Sequence, residues 1–298
     1  MTTTPERPAR AVDAQICYLA PGSHLNRRFV APGVEHNTGR YLPYPVKIED
    51  GRPISDRFTL DTHGFVLAHA PSMVGDFLDK AEVEQVYPAE AAATLKALTG
   101  AAEVAPLGWM VRTSGDLQRP AAPAAAGYTH QGGIQPPAGE AHVDMMPDRA
   151  ENLARTVYAR HFPEGKGYSR FLAVSLWRTF SAPPQDMPLA VCDARSVGRE
   201  EGVPNTMFIV DALPSEEAMR GEMPDEDKAP AAAIFFHNPA HRWWYFSNMT
   251  RDEVLLFKFH DSDSDRAMRT PHTAFHDPSF PDAQVRESIE CRLIAYFP

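Results

Sequence analysis

The segment Glu140-Ala-His142-Val-Asp144 places an imidazole and a carboxylate two residues apart. On a β-strand residues i and i+2 face the same way, so His142 and Asp144 would converge on one ion with Val143 packed behind them. A neutral imidazole and a carboxylate are two of the three ligands of the facial triad that holds non-haem Fe(II). A His-x-Asp triplet by itself is no rarer than chance in a chain with 12 histidines. The reading therefore needs a third ligand on a later strand and a cation beyond it. The C-terminal third supplies both: His272 follows the apolar run Val254-Leu-Leu-Phe257 and a polar turn, and Arg286-Glu-Ser288 stands fourteen residues further on. A guanidinium pairs with a carboxylate in a bidentate, charge-assisted geometry, and a serine hydroxyl adds one more donor.

Other residues compete for these roles. His237 and His241 lie 93 and 97 residues beyond Asp144 and are rivals to His272 as the distal ligand. His272 is preferred because it falls between the apolar strand and the Arg-x-Ser strand. Arg292 competes with Arg286, since residues 286, 288, 290 and 292 alternate onto one face of the last strand, and Glu290 is available to pair with either. Arg112, Trp177 and Arg178 are candidates for a substrate pocket, the two arginines suiting an anionic group. His241, Trp243 and Tyr245 share a face of a strand over 242–246 and read as pocket lining or as a packed aromatic cluster. Lys258 either neutralises a carboxylate or snorkels to solvent. His260 and His276 flank loops and read as solvated.

The elements that must position these residues are mostly strands. Residues 56–61 and 62–68 read as strand, turn and strand around Gly64, followed by a helical region that is richest in Ala, Glu, Leu and Lys over 89–98 and ends at Gly100. From Val104 onward short β-branched and aromatic runs alternate with Pro, Gly and Asp clusters, the pattern of an antiparallel β architecture. Strands are expected over 104–112, 171–178, 188–192, 207–210, 233–237, 242–246, 253–260 and 287–297, and a helix over 152–161. Two stretches, the Pro/Ala/Gly-rich 119–140 and the acidic 211–230, read as mobile loops placed to act as lids. The simplest partition is a single domain with an N-terminal flank over 1–103 packing on a core over 104–298.

Composition narrows the partners. The chain has 298 residues, 39 acidic against 29 basic, and a formal net charge of −10. No dense Lys/Arg run relieves that field, which argues against nucleic acid. No apolar stretch approaches the ~20 residues of a membrane span, and the first ten residues lack a signal-peptide core, so a cytoplasmic protein with no membrane partner is expected. No GxSxG elbow, P-loop or HExxH occurs, which removes the commonest hydrolase and nucleotide-binding readings.

Several long blocks carry a family resemblance. They are Pro188-Leu-Ala-Val-Cys-Asp-Ala-Arg-Ser196, Asn238-Pro-Ala-His-Arg-Trp-Trp-Tyr-Phe246, Asp252-Glu-Val-Leu-Leu-Phe-Lys258, Thr270-Pro-His-Thr-Ala-Phe275 with Asp277-Pro278, and Arg286-Glu-Ser-Ile-Glu-Cys-Arg292. With Phe58-Thr-Leu-Asp-Thr-His-Gly-Phe65 and Asp76-Phe-Leu-Asp-Lys-Ala-Glu-Val83, they resemble the gibberellin desaturase-like and cephamycin-methoxylation-type oxygenases of natural-product pathways. The resemblance runs from about Phe58 to the C-terminus. It implies a mainly β fold with flanking helices, a double-stranded β-helix of the jelly-roll, cupin-like kind. It also implies an Fe(II)- and 2-oxoglutarate-dependent dioxygenase that uses O2 to hydroxylate, desaturate or cyclise a small molecule. His142, Asp144 and His272 map onto the metal ligands and Arg286, with Ser288, onto the co-substrate clamp. Two departures put transfer of a relative's substrate in doubt. Ser175-Leu-Trp-Arg-Thr179 stands where the family often has Asn-x-Trp-Arg-Pro, and Met145 stands where it often has Gln.

Two further readings stay open on the sequence: a cupin-like isomerase or binding protein that holds a divalent metal without oxidation, and a non-catalytic partner subunit of a biosynthetic oxygenase. A homodimer or a partner enzyme is compatible with each.

Overall fold

In the computed structural model, which describes residues 11–32, 34–115 and 134–298, sixteen strands form two sheets. In chain order the strands are β1 (Ala11–Leu19), β2 (Arg27–Ala31), β3 (Val34–Asn37), β4 (Tyr41–Asp50), β5 (Phe65–His69), β6 (Glu103–Thr113), β7 (Ile134–Gln135) and β8 (His142–Val143). They continue with β9 (Arg170–Thr179), β10 (Leu189–Cys192), β11 (Val203–Ile209), β12 (Ala231–Ile234), β13 (Trp243–Tyr245), β14 (Glu253–Asp261), β15 (His272–Ala274) and β16 (Glu287–Phe297). The helices are α1 (Leu60–His63), α2 (Lys80–Thr99), α3 (Pro147–His161) and α4 (Glu216–Arg220).

The larger sheet runs β1-β4-β13-β10-β15-β8-β12-β11-β2-β3 and the smaller runs β5-β14-β9-β16-β6-β7. The expected antiparallel architecture holds for most pairs, but β13 with β4, β11 with β2 and β6 with β7 are parallel, so both sheets are mixed. Neither closes on itself. The fold is the jelly roll with flanking helices, and strands from the first 103 residues are hydrogen-bonded into both sheets.

Strand alternation divides the core in two. On β16, Ile289, Cys291, Leu293 and Ala295 face outward with Leu172, Val174 and Leu176 of β9, while Ile294 and Tyr296 face the interior between the sheets with Phe171, Ala173 and Trp177. Helix α2 covers the outer face through Val83, Tyr87, Ala91 and Leu95, a stripe at i, i+4, i+8 and i+12. Each fully buried Val or Leu contributes about 1.5–3 kcal/mol. Asp79 caps this helix by accepting from the Ala81 and Glu82 amides, and Gly100, at φ 71°, ends it.

Several local expectations are corrected. Residues 56–61 are not a strand: a 3-10 turn over Arg52–Arg57, with Pro near its start, leads into α1, which Thr59 caps and Gly64, at φ 84°, terminates. The helix expected over 152–161 begins at Pro147, because a proline at the first helical position loses no hydrogen bond. The acidic stretch 211–230 is tied down rather than free. Arg27 binds Glu226 through Nε at 2.8 Å and the Met219 carbonyl through Nη1 at 2.8 Å, and Arg149 donates to the Ala229 carbonyl. Most of the other expected lid, 119–140, lies outside the described residues. His260 is buried rather than solvated, its ring 5.4 Å from that of Phe171. Lys258 does not snorkel: its ammonium is fully buried, 2.5 Å from Asp261, which also pairs with Arg170. No helix among the described residues is long and apolar enough to cross a membrane.

Candidate active site

Strands β8 and β15 are antiparallel neighbours, and their register sets His142 directly opposite His272. Directly opposed residues in such a pair lie on one face with side chains in reach, and the two imidazole centroids are 4.3 Å apart. Each ring is fixed through Nδ1 by a carbonyl two residues earlier, Glu140 for His142 at 2.8 Å and Thr270 for His272 at 3.2 Å. A hydrogen bond on Nδ1 leaves Nε2 as the ligand nitrogen. Both Nε2 atoms point at Asp144 Oδ1, at 3.3 and 3.4 Å. The three ligand atoms lie within 4.8 Å of one another, a spacing that could hold one metal ion. Asp144 arrives by a route that alternation does not predict: β8 ends at Val143, and the chain bends at Asp144 before entering α3.

The opposite sheet supplies the surroundings. From β16, Arg292 Nε reaches the second oxygen of Asp144, Oδ2, at 2.7 Å, and Arg292 Nη2 binds Glu290 Oε1 at 2.8 Å. From β6, Arg112 approaches Glu290 at 3.5 Å and donates to the Pro136 carbonyl at 2.8 Å. Burial works to raise the Asp144 carboxyl, but Arg292 and the two histidines outweigh it and hold the group well below the usual carboxylate range. Burial pulls the His142 imidazole down, and Asp144 more than compensates, leaving it raised. His272 stays lowered by burial and by the charge on His142.

Arg286 immediately precedes β16, in line with Ser288, Glu290 and Arg292. Its side chain is 1% exposed, stacks 5.7 Å from the Trp177 ring and donates only to the Met187 carbonyl at 2.8 Å. Among the described residues it makes no ion pair, and its Nε and the Ser288 hydroxyl are buried without a hydrogen-bond partner. Burial without a counter-charge, with Arg112 nearby, pushes the guanidinium down to about 9. A buried cation with spare donors beside a buried hydroxyl suits a carboxylate of 2-oxoglutarate, so the residues present fit both the metal and the co-substrate.

A cavity of about 370 Å3 opens on His142 and Asp144, though His272, Arg286 and Ser288 are not on its wall, and is lined by Arg292, Arg112, Arg28, Glu140 and Asn205 among its other polar groups and by Val30, Met110, Met207 and Ile234 among its apolar ones. Of the residues expected to line a pocket, Arg112 does so. Arg178 does not: one residue on from the inward-facing Trp177, it points outward beneath α2, donating to Tyr87 Oη at 3.1 Å and to the Arg251 carbonyl. Trp177 lies in the interior under Arg286 but not on the cavity wall. His241, Trp243 and Tyr245 are also absent from that wall. His241 bonds Tyr18 Oη at 3.1 Å and Glu201 at 2.8 Å, Trp243 donates to the same Tyr18 oxygen, and Tyr245 packs edge-on against Phe275. His237 stacks on Tyr44 at 4.3 Å. The structure thus brings His272 to the triad and leaves both rivals in an aromatic cluster. Arg28, Asn205, Met110 and Met207 were not legible as lining residues. Only Met110 carried a signal, two residues from Arg112 on one strand face.

Comparison with known proteins agrees with this geometry. Residues 16–296 match the family described as an oxidoreductase/YMDC permease-like domain. A hydroxylase/desaturase of Hormonema carpetanum is 33% identical over 265 residues, covering 87% of this chain and 85% of the relative. An Fe(II)/2-oxoglutarate-dependent dioxygenase of Aspergillus novofumigatus is 30% identical over 271 residues, covering 89% and 87%. The solved structure of an iron and alpha-ketoglutarate-dependent endoperoxidase superposes with a TM-score of 0.75 at 26% identity, covering 96% of this chain and 98% of that one.

Proposed function

The chain belongs to the Fe(II)- and 2-oxoglutarate-dependent oxygenases of natural-product biosynthesis, and from that premise we propose that His142, Asp144 and His272 hold its iron while Arg286 and Ser288 bind the distal carboxylate of 2-oxoglutarate. The observation that carries the ligand assignment is the convergence of two Nε2 atoms on one oxygen of Asp144. When bound, Fe(II) with 2-oxoglutarate and O2 supplies the oxidising power to break a substrate C–H bond. The protein's contribution is positional. The Glu140 and Thr270 carbonyls hold both imidazoles in the tautomer that presents Nε2. Arg286 offers donors for which no carboxylate among the described residues competes. Val30, Met110, Met207 and Ile234 form the apolar part of a wall that is about half polar, and Arg28 and Arg112 are placed to meet a polar or anionic group on the substrate. Whether the outcome is hydroxylation, desaturation or oxidative cyclisation depends on where this wall sets the reacting carbon.

The test is spectroscopic. Adding Fe(II) and 2-oxoglutarate anaerobically should give the weak visible charge-transfer band of the chelate in the wild type, in His241→Ala and in His237→Ala, and none in His272→Ala. A wild type without the band defeats the proposal, and a band that survives in His272→Ala removes that ligand from it.

A further inference from the structure

Asp144 of the triad and three charged side chains beside it form one unbroken chain. Asp144 Oδ2 is ion-paired with Arg292 Nε at 2.7 Å, Arg292 Nη2 donates to Glu290 Oε1 at 2.8 Å, and Arg112 Nη2 approaches the same Glu290 oxygen at 3.5 Å. Arg112 then donates to the Pro136 carbonyl, on the segment that lines the cavity mouth. The charges alternate in sign, and Glu290, at 7% exposure, is the anion in the middle. Such an arrangement is a poor way to gain stability, because desolvating each charge offsets most of the attraction and well-packed apolar side chains would do as well. Its geometric effect is specific. It ties down the outer oxygen of Asp144 and leaves Oδ1 alone turned toward the two imidazoles.

Resting on the metal-centre reading above, we propose that Glu290 is a positioning residue that holds the Arg292 guanidinium on Oδ2 of Asp144, so that the carboxylate offers the metal one oxygen and leaves a further coordination position for the co-substrate. Without Glu290 the guanidinium loses its second anchor and the carboxylate is free to turn. The second oxygen of Asp144 then competes with 2-oxoglutarate for the ion. The charge argument runs the same way for Glu290→Gln. It removes the negative charge between Arg292 and Arg112, and the added net positive charge next to the site repels a divalent ion. Arg292→Met separates the two effects. Removing its charge favours the metal, whereas releasing Oδ2 still costs the co-substrate its position.

Co(II), which does not turn over, reports both quantities through its visible d–d bands. In Glu290→Gln, Co(II) affinity should fall about ten- to hundredfold, the range found when an outer partner of a metal ligand is removed, and the band shape should change. In Arg292→Met the band should also change, and 2-oxoglutarate should bind the Co(II)-loaded protein several-fold more weakly at saturating metal. If both variants keep the wild-type Co(II) affinity, bands and 2-oxoglutarate affinity, the positioning role is wrong. Should Glu290→Gln fail to fold, unchanged bands and 2-oxoglutarate binding in Arg292→Met are enough to overturn it. A wild type that binds no Co(II) sinks the metal-centre reading itself, an outcome separate from wild-type binding with indifferent variants.

Discussion

Replacing Arg286 with methionine should leave the ligand-free protein as stable as the wild type, or more so, while abolishing its response to 2-oxoglutarate. The guanidinium is 1% exposed and has no ion pair among the described residues. Its depression from the ordinary guanidinium value to about 9, roughly 3.5 pH units, means the folded state disfavours the charged form. At about 1.4 kcal/mol per pH unit that is roughly 5 kcal/mol. Against this stand its hydrogen bond to the Met187 carbonyl, worth about 1.5–3 kcal/mol for a charged donor, and the contact with Trp177, up to about 2 kcal/mol. Methionine fills a similar volume without a charge, so the balance for Arg286→Met falls between about 0 and 3.5 kcal/mol in its favour. At ~2.1 cal/mol/K per residue the unfolding entropy of a chain of this length is about 0.6 kcal/mol/K, which puts the rise in Tm at roughly 0–6 °C. The Co(II)-loaded wild type, by contrast, should gain about 2.7 kcal/mol, or roughly 4 °C, at a 2-oxoglutarate concentration of about 100 Kd. Arg286→Met should show none of that gain, since losing a buried charge pair costs about 2–5 kcal/mol of binding. Thermal unfolding with and without 2-oxoglutarate decides the matter. A ligand-free variant melting more than ~3 °C (about 2 kcal/mol) below wild type would show that Arg286 is a structural support, and a retained 2-oxoglutarate shift would show that the clamp lies elsewhere.

Other expectations follow from the same geometry. Arg178→Met should destabilise the protein by about 2–4 kcal/mol, because it strips the Tyr87 hydroxyl and the Arg251 carbonyl of a buried donor beneath α2, yet it should leave the Fe(II)/2-oxoglutarate band intact. His260, whose two ring nitrogens have no partner among the described residues, is driven by burial down to about 4. Its folded value lies below the unfolded value of about 6.5, so the unfolded chain binds the extra proton and stability falls as pH drops through that window. Urea titrations should show about 2 kcal/mol less stability at pH 5 than at pH 7 from this group, and His260→Phe should remove that part of the slope. If the variant keeps it, the loss belongs to other groups. Glu226→Gln should release the segment over 211–230 from Arg27, visible as faster limited proteolysis within it than in the wild type; equal rates would mean that the backbone contacts of Arg27 suffice.

Much of the site was legible in sequence because strand alternation is a local property. The order of His142, Asp144, His272 and Arg286 along the chain, and the shared face of residues 286, 288, 290 and 292, needed no coordinates. Parity gave half of a further answer. Trp177 and Arg178 are adjacent on one strand, so only one of them can face the interior, but residues 172, 174 and 176 are as apolar as 171 and 173, and only the packing of α2 on the former set shows which face is which. An arginine suggests an anionic ligand, yet the other face lies under a helix whose Tyr87 needs a partner.

The sequence by itself determined the candidate ligand types, the closeness of His142 and Asp144 along the chain and the strand that carries the arginines, since these are local properties, whereas the bend after β8 that turns Asp144 toward His142 is not one that alternation predicts. Tertiary structure decided which histidine completes the set. That choice rests on the register of β8 against β15, which faces His142 with His272, and on Tyr18, which lies 223 residues from His241 and occupies it with a hydrogen bond. It also decided the division of labour between two arginines on one strand face. Arg292 meets a carboxylate that follows a strand of the opposite sheet and Arg286 meets none among the described residues, a difference no alternation pattern encodes because it depends on what the fold brings across from the other side.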